Sequence, residues 1–127
     1  MWRNQEDAAA RTGNSASYER PIDLVHLARQ TLGDRGLEQE ILSLYLKQAR
    51  TLLARIEESV HQRERSDFAH TLKGSSRAVG AWQVAMAAEA VEIVPPQQDI
   101  EAAKAIAALR TCVSAACDTI AELQRPH

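Results

Sequence analysis

The chain has 127 residues, a formal net charge of -2 at neutral pH, 45% hydrophobic residues and only 4% aromatic residues. This length provides one hydrophobic core and leaves no room for a nucleotide-binding domain beside it, which excludes most self-sufficient ATP enzymes. The charge lacks the basic excess of a nucleic-acid binder, and the composition, rich in alanine and leucine, favours packed helices over a β-sandwich. We therefore expect an all-α protein whose partner is a protein or a small ligand.

The sequence also indicates where the protein is located and whether its two cysteines are oxidised. No apolar run approaches the roughly 20 residues that span a bilayer, and the first residues, MWRNQEDAAARTG, lack the apolar centre of a signal peptide. We therefore expect a cytoplasmic protein. Cys112 and Cys117 are five positions apart in a predicted helix, beyond disulfide reach, and no C-x-x-C motif accompanies them. We expect reduced packing residues, with no metal and no cofactor.

The chain begins with a polar stretch and then changes character. Residues 1–19 show no amphipathic period, which predicts a flexible tail ahead of a helical bundle domain over residues 20–125. Pro21 is of the type favoured at the first helical position, so a short helix is expected to begin there. Gly33 is expected to end that helix, and Asp34 is expected to cap the next one.

The second predicted helix runs from Leu37 with apolar residues at spacings of three and four. These residues are Ile41, Leu44, Tyr45, Ala49, Leu52, Leu53, Ile56 and Val60. The following residues, 62–67, are polar and predict a turn in which Ser66 is the N-cap of the third helix. That helix is expected to continue through Trp82 and to stop at the prolines of positions 95 and 96.

A last helix completes the predicted fold. Asp99 is expected to cap it, and apolar residues again repeat at three and four positions. They are Ile106, Leu109, Val113, Ala116, Ile120 and Leu123. Burying every stripe predicts an antiparallel up-down four-helix bundle with a short extra N-terminal helix.

One segment, DFAHTLKGSSRAVGA over residues 67–81, carries the candidate chemistry. His70 is two positions from both Phe68 and Leu72, so it faces solvent if those two side chains pack inward. Four later residues share its face, namely Lys73, Gly74, Arg77 and Ala81. Each glycine here, including Gly80, costs a helix about 1 kcal/mol relative to alanine. Such bare backbone is useful if a partner must approach the imidazole or a bulky group is attached to it.

A phosphoryl group fits both conditions. Neutral imidazole keeps a lone pair and is a competent nucleophile toward phosphorus. Lys73, and by geometry Arg77, would lie where the phosphoryl oxygens carry negative charge. Basic residues outnumber acidic ones between Lys47 and Arg77, a bias expected to steer an acidic pocket toward His70.

The segment resembles the histidine-containing phosphotransfer (HPt) domains of bacterial multi-step phosphorelays. The residues that carry the resemblance are His70, Leu72, Lys73, Gly74, Ser75, Ser76, Gly80 and Ala81. The likeness extends from about Ile22 to about Leu123. It implies a non-enzymatic phosphocarrier in which His70 exchanges a phosphoryl group with the aspartate of a response-regulator receiver domain and Lys73 stabilises that group.

The resemblance also implies partners and a binding surface. Gly74, Gly80 and Ala81 are expected to form that surface, together with Arg77 from the geometric argument. Magnesium would be bound on the receiver's side, and a hybrid histidine kinase would supply the phosphoryl group. Thr71 stands where sensor kinases usually carry an acidic residue, so self-phosphorylation is not expected. We expect a monomer.

Two other functions compete with this interpretation. The first is a bundle that binds a receiver or kinase as an adaptor or inhibitor without carrying phosphate. The second is a carboxylate-bridged metal bundle, suggested by the pairs Glu58 with His61 and Asp67 with His70. Such sites need inward-facing ligands on several helices, whereas His70 is expected to face outward.

Overall fold

The computed structural model describes residues 19–126, which form five helices and contain no strand. The helices are α1 (Leu24–Thr31), α2 (Arg35–Glu58), α3 (Gln62–Val79), α4 (Trp82–Glu92) and α5 (Asp99–Leu123). Helices α2 to α5 pack in chain order, α5 closes the ring onto α2, and the short α1 lies against α2 and α3. The predicted all-α four-helix bundle with a short N-terminal helix is confirmed. The predicted flexible tail falls, except for Glu19, outside the described residues and stays a prediction.

The core lies between the four long helices and is built from aliphatic and small side chains. On α2 the inward residues recur at three and four positions, which places one stripe on the bundle axis. They are Leu42, Tyr45, Ala49, Leu52 and Ile56. Leu44 was expected in this stripe but is exposed, because two positions from Leu42 is about 200° around the helix. Val60, also expected inside, is exposed because it follows the end of α2.

A buried polar contact joins α2 to α3 within this core. The hydroxyls of Tyr45 and Ser76 lie 2.7 Å apart, and both residues are almost completely buried. Burial raises the pKa of Tyr45 above its ordinary value. Each hydroxyl gives the other its hydrogen-bond partner, so Ser76 does more than fill space.

Local sequence signals correctly predicted where α1 ends and where α2 begins. Gly33 has φ +78, in the left-handed region, and the Asp34 carboxylate accepts the backbone N–H of Leu37 at 3.0 Å. The predicted end of α1 and cap of α2 are therefore confirmed. The predicted start at Pro21 is wrong, because Asp23 is the N-cap and accepts the backbone N–H of His26 at 3.1 Å.

Two other predicted caps are wrong. Helix α3 already begins at Gln62, so Ser66 lies inside it, and its hydroxyl donates to the carbonyl of Glu92 at 3.0 Å. Asp99 is the first residue of α5 rather than its cap, which is Gln98. In the first case a contact between two helices uses the hydroxyl that sequence reasoning assigned to a cap.

The largest correction concerns the predicted continuous helix through Trp82. Gly80 has φ +80, and Ala81 N–H donates to the Ser76 carbonyl at 2.8 Å, so the chain reverses and α4 runs back along α3. The Gly80 carbonyl accepts the backbone N–H of Asp23 at 2.9 Å, and the Asp23 carboxylate accepts the Trp82 indole N–H at 2.9 Å. These contacts fix the reversal against the start of α1.

Two smaller expectations can be settled from the fold. Cys112 is half-buried and Cys117 is buried, which confirms them as packing residues, and burial raises the pKa values of both thiols. Within residues 19–126, no helix is both long enough and apolar enough to cross a membrane.

Candidate functional site

The candidate site centres on His70, near the middle of α3. Its neighbours Ala69 and Leu72 are completely buried, and this inward stripe turns the imidazole outward. The His70 side chain keeps 67% of its surface exposed. The prediction that His70 faces solvent is confirmed.

Glu92, at the end of α4, is the site residue that sequence reasoning missed. One of its oxygens, Oε2, lies 2.8 Å from Nδ1 of His70, and the other, Oε1, lies 2.8 Å from Nζ of Lys73. The Lys73 ammonium holds the pKa of Glu92 below its ordinary value, and the contact with His70 lowers it further. Partial burial of the carboxylate raises the pKa, but by less than these contacts lower it. Glu92 is therefore an ionised bridge between the two predicted site residues.

The reversal at Gly80 is what brings Glu92 to this position. In an antiparallel helix pair, residues at equal distance from the turn lie side by side, and His70 and Glu92 are each 11 positions from Ala81. The Ser66 hydroxyl and the Gln62 side-chain amide hold the end of α4 through the carbonyls of Glu92 and Val94. Reading Gly80 as a helix end would have revealed Glu92.

Lys73 is more restrained than an exposed lysine on a helix surface. Its side chain is only 15% exposed, and its ammonium points at Glu92. The stem of the side chain is therefore packed while the charge stays at the edge of the site. This places the predicted cation one helical turn from His70, as its spacing required.

Gly74 lies in the same turn and is exposed. It is helical, and apart from its two chain neighbours and the adjacent backbone of its own helix, no described atom lies within 4 Å of the position that a Cβ would occupy. Alanine would fit here and would favour the helix, so packing among the described residues gives no reason for glycine. The surface beside His70 is open at this point.

Arg77 lies on the exposed side of α3, but it turns toward α4. Its guanidinium is 3.5 Å from Oε1 of Glu89, and both side chains are about half exposed. Arg77 and Lys73 are thus each paired with an acid of α4. This pairing offsets the local basic excess that the sequence suggested.

The prediction that Ala81 lies on the exposed face of His70 is wrong, and Gly80, which was expected in the binding surface, is not exposed either. Both residues are buried, because α3 ends at Val79 and the extrapolated helical face does not exist beyond it. A Cβ at Gly80 would lie 3.0 Å from both Cβ and the carbonyl oxygen of Asp23. These two residues shape the turn that positions Glu92.

A metal site receives no support from the described residues. Across residues 19–126, no group of three or more histidine, cysteine, aspartate or glutamate side chains is arranged to hold a metal ion. Glu92 instead makes its contacts with the imidazole of His70 and the ammonium of Lys73.

His70 is an exposed imidazole on a helical bundle, and the ion pair of Glu92 and Lys73 lies beside it. This arrangement is suited to a helical phosphocarrier. The Hpt domain family matches residues 40–122, more than half of the chain and a span that includes the whole site. The chain belongs to the Hpt domain family, which has a phosphotransfer role in two-component signalling. Comparisons with curated proteins and with solved structures found no match.

Proposed function

We propose that His70 carries a phosphoryl group to or from the aspartate of a response-regulator receiver domain. The observation that carries the proposal is the imidazole itself, which is 67% exposed on a helix of an Hpt domain. A phosphocarrier needs a nucleophile that a second protein can reach while the scaffold stays rigid. The His70 side chain is exposed, and its helix packs into the bundle core through Ala69 and Leu72.

The transfer needs little chemistry from this chain. An imidazole nitrogen attacks the phosphorus of a receiver aspartyl phosphate, the new N–P bond forms, and the P–O bond breaks with its electron pair leaving on the aspartate carboxylate. Magnesium bound on the receiver's side neutralises charge on the phosphoryl oxygens. The return of the group to an aspartate follows the same path in reverse.

Lys73 supplies a positive charge one helical turn from His70, on the same Glu92 carboxylate that His70 contacts. Its ammonium has three donors, so it can keep its contact with Glu92 while it also donates to a phosphoryl oxygen. Arg77 is a second cation one turn further along α3, released only if its weaker contact with Glu89 opens. We therefore assign phosphoryl stabilisation first to Lys73.

Gly74 is assigned to the docking surface on the basis of its open environment. A residue with no side chain one turn from the imidazole lets a receiver backbone or a phosphoryl group come close. Upstream, a hybrid histidine kinase would supply phosphate through its own receiver. The competing adaptor would bind the same partners without becoming phosphorylated.

The experiment that separates these functions is transfer from a phosphorylated receiver domain. Wild-type protein should gain acid-labile, alkali-stable label, and His70→Gln should gain none while its helical content stays unchanged. His61→Gln is the matched control, because His61 is also exposed and lies at the start of the same helix. Label that persists in His70→Gln would overturn the assignment, and binding without label would favour the adaptor.

A further inference from the structure

The outer side of α2 carries apolar residues that the bundle does not cover. Leu44 is 67% exposed, Leu37 lies seven positions before it and is 40% exposed, and the half-buried Ile41 lies between them. These three residues share one side of the helix, and we name them the outer row. We propose that the outer row is the docking site for residues 1–18 of this same chain, with Trp2 packed on Leu44.

The surface around Leu44 can receive a large side chain. Two shallow hollows in the surface share Leu44, one extending past Leu37 toward the start of α2 and the other toward Lys47 and Thr51. Tryptophan buries more apolar area than other residue types and loses little conformational freedom when it is held, so it often anchors such contacts. Trp2 is the one large apolar side chain of this kind that precedes the described residues.

The start of the described chain places the preceding segment within reach of the outer row. The carbonyl of Glu19 accepts the side-chain amide of Gln83, in the first turn of α4, at 2.7 Å. This is the end of the bundle at which α2 begins, because α2, α3 and α4 are joined by short turns. Trp2 is 17 positions before Glu19, a mean separation of about 21–25 Å in a flexible chain. Leu44 is nine positions into α2, or about 14 Å along it.

The small size of the outer row favours a tethered occupant over a second copy of the protein. A stable interface between separate proteins covers about 800 Å² of each partner, far more than two exposed leucines and part of an isoleucine provide. A segment of the same chain has an effective concentration on the order of 1 mM, so a weak contact is sufficient. The expectation of a flexible tail relied on the absence of an apolar period, which a single packed side chain does not require.

The charges of the segment and of the surface are complementary. Lys47 lies one turn after Leu44, and within residues 19–126 no carboxylate lies at ion-pair distance from its ammonium. Glu6 and Asp7 follow Trp2 by four and five positions. In the docked segment these two carboxylates face Lys47, which fixes the direction in which the segment crosses α2.

Docking at the outer row leaves the phosphotransfer site accessible. Helix α3 turns Phe68 toward α2, where the Arg55 guanidinium lies 5.9 Å from the centre of its ring, whereas His70 turns toward Glu92 of α4. In the described part of the chain, α2 and α4 make no contact with each other. The inference therefore stands or falls independently of the proposed function of His70.

The direct test is ¹⁹F NMR of the full chain labelled with 5-fluorotryptophan. Trp2 and Trp82 give two signals, which Trp2→Phe assigns, and the shift of each signal between light and heavy water measures the exposure of the ring. Trp2 of the wild type should show less than half of the shift of the free amino acid, and Leu44→Ser should raise it to the full value. Ile100→Ser is the matched control and should leave Trp2 protected, because Ile100 is also an exposed apolar residue of a helix but lies at the opposite end of the bundle. Full exposure of Trp2 in the wild type, or protection that persists in Leu44→Ser, would overturn the proposal.

Two further measurements test the occupant and its direction. Protection of Trp2 should not change when the protein is diluted about tenfold, because a tethered contact does not depend on protein concentration. Protection that falls on dilution would assign the outer row to a second copy and would overturn the proposal. Lys47→Glu should reduce the protection, and Glu6→Lys combined with Asp7→Lys in the same chain should restore it. A chain in which the exchanged charges restore nothing would refute the pairing with Lys47.

Discussion

Alanine at Gly74 and alanine at Gly80 should change stability in opposite directions, although the two glycines look alike in the sequence. Gly74 is helical, and beyond its chain neighbours and the adjacent backbone of its own helix no described atom lies within 4 Å of the place that an alanine methyl group would take, so alanine adds helix propensity at no steric cost. The gain should be up to about 1 kcal/mol, or a rise in Tm of about 4 °C. Gly80 has φ +80, where a side chain costs roughly 1–2 kcal/mol.

A second cost at Gly80 comes from its neighbour. The new Cβ would lie 3.0 Å from the Asp23 carbonyl oxygen, a backbone atom that cannot move freely because Asp23 N–H donates to the Gly80 carbonyl. Overpacking of this kind adds about 1–3 kcal/mol, so Gly80→Ala should lose about 2–5 kcal/mol of stability in total. Urea and thermal unfolding followed by far-UV circular dichroism measure both variants. If both variants were stabilised, or both destabilised, the distinction between an open helical glycine and a buried left-handed glycine would be refuted.

The remaining predictions concern the site and the core. Lys73→Ala should lower phosphoryl transfer at least several-fold with the fold intact, and an unchanged rate would assign the charge to the receiver. Ser76→Ala should cost about 1–3 kcal/mol by leaving the buried Tyr45 hydroxyl unpaired, and adding Tyr45→Phe should recover part of that loss in urea unfolding. The lowered pKa of Glu92 means that its contribution to stability is complete above its unfolded-state pKa of about 4.3 and disappears as the pH falls through the lower folded-state value. The stability difference between wild type and Glu92→Gln should therefore shrink below about pH 4, and a constant difference would contradict the ion-pair geometry.

Hydrophobic periodicity was sufficient for much of the fold. The apolar stripes on α2 and α5 are long and regular. The same argument correctly predicted that His70 faces solvent, because the side of a helix on which a residue lies depends on its spacing from the buried residues. Gly33 and Asp34 were also predictable, since a left-handed residue followed by a capping carboxylate is a local signal.

The errors arose where a local signal had a tertiary meaning. Ser66 is a good cap residue by type, yet its hydroxyl binds the end of another helix. Gly80 is of the type that ends helices, but the apolar pattern continues through Trp82, so the pattern was read as one helix although Gly80 has the left-handed backbone of a helix end. Because that reversal was missed, Glu92 stayed far from His70 in the predicted order of elements, and its role became visible only with α4 folded back.

The most direct test of the account is to locate the phosphate after wild-type protein has reacted with a phosphorylated receiver domain. Tandem mass spectrometry under neutral, non-acidic conditions can assign the modified residue among the histidines of the chain. We expect one phosphoryl group per molecule, on His70, and its disappearance when unphosphorylated receiver and magnesium are added. A phosphate found on another residue, or a receiver that binds this surface and leaves His70 unmodified, would contradict the central claim that His70 is the phosphoryl carrier.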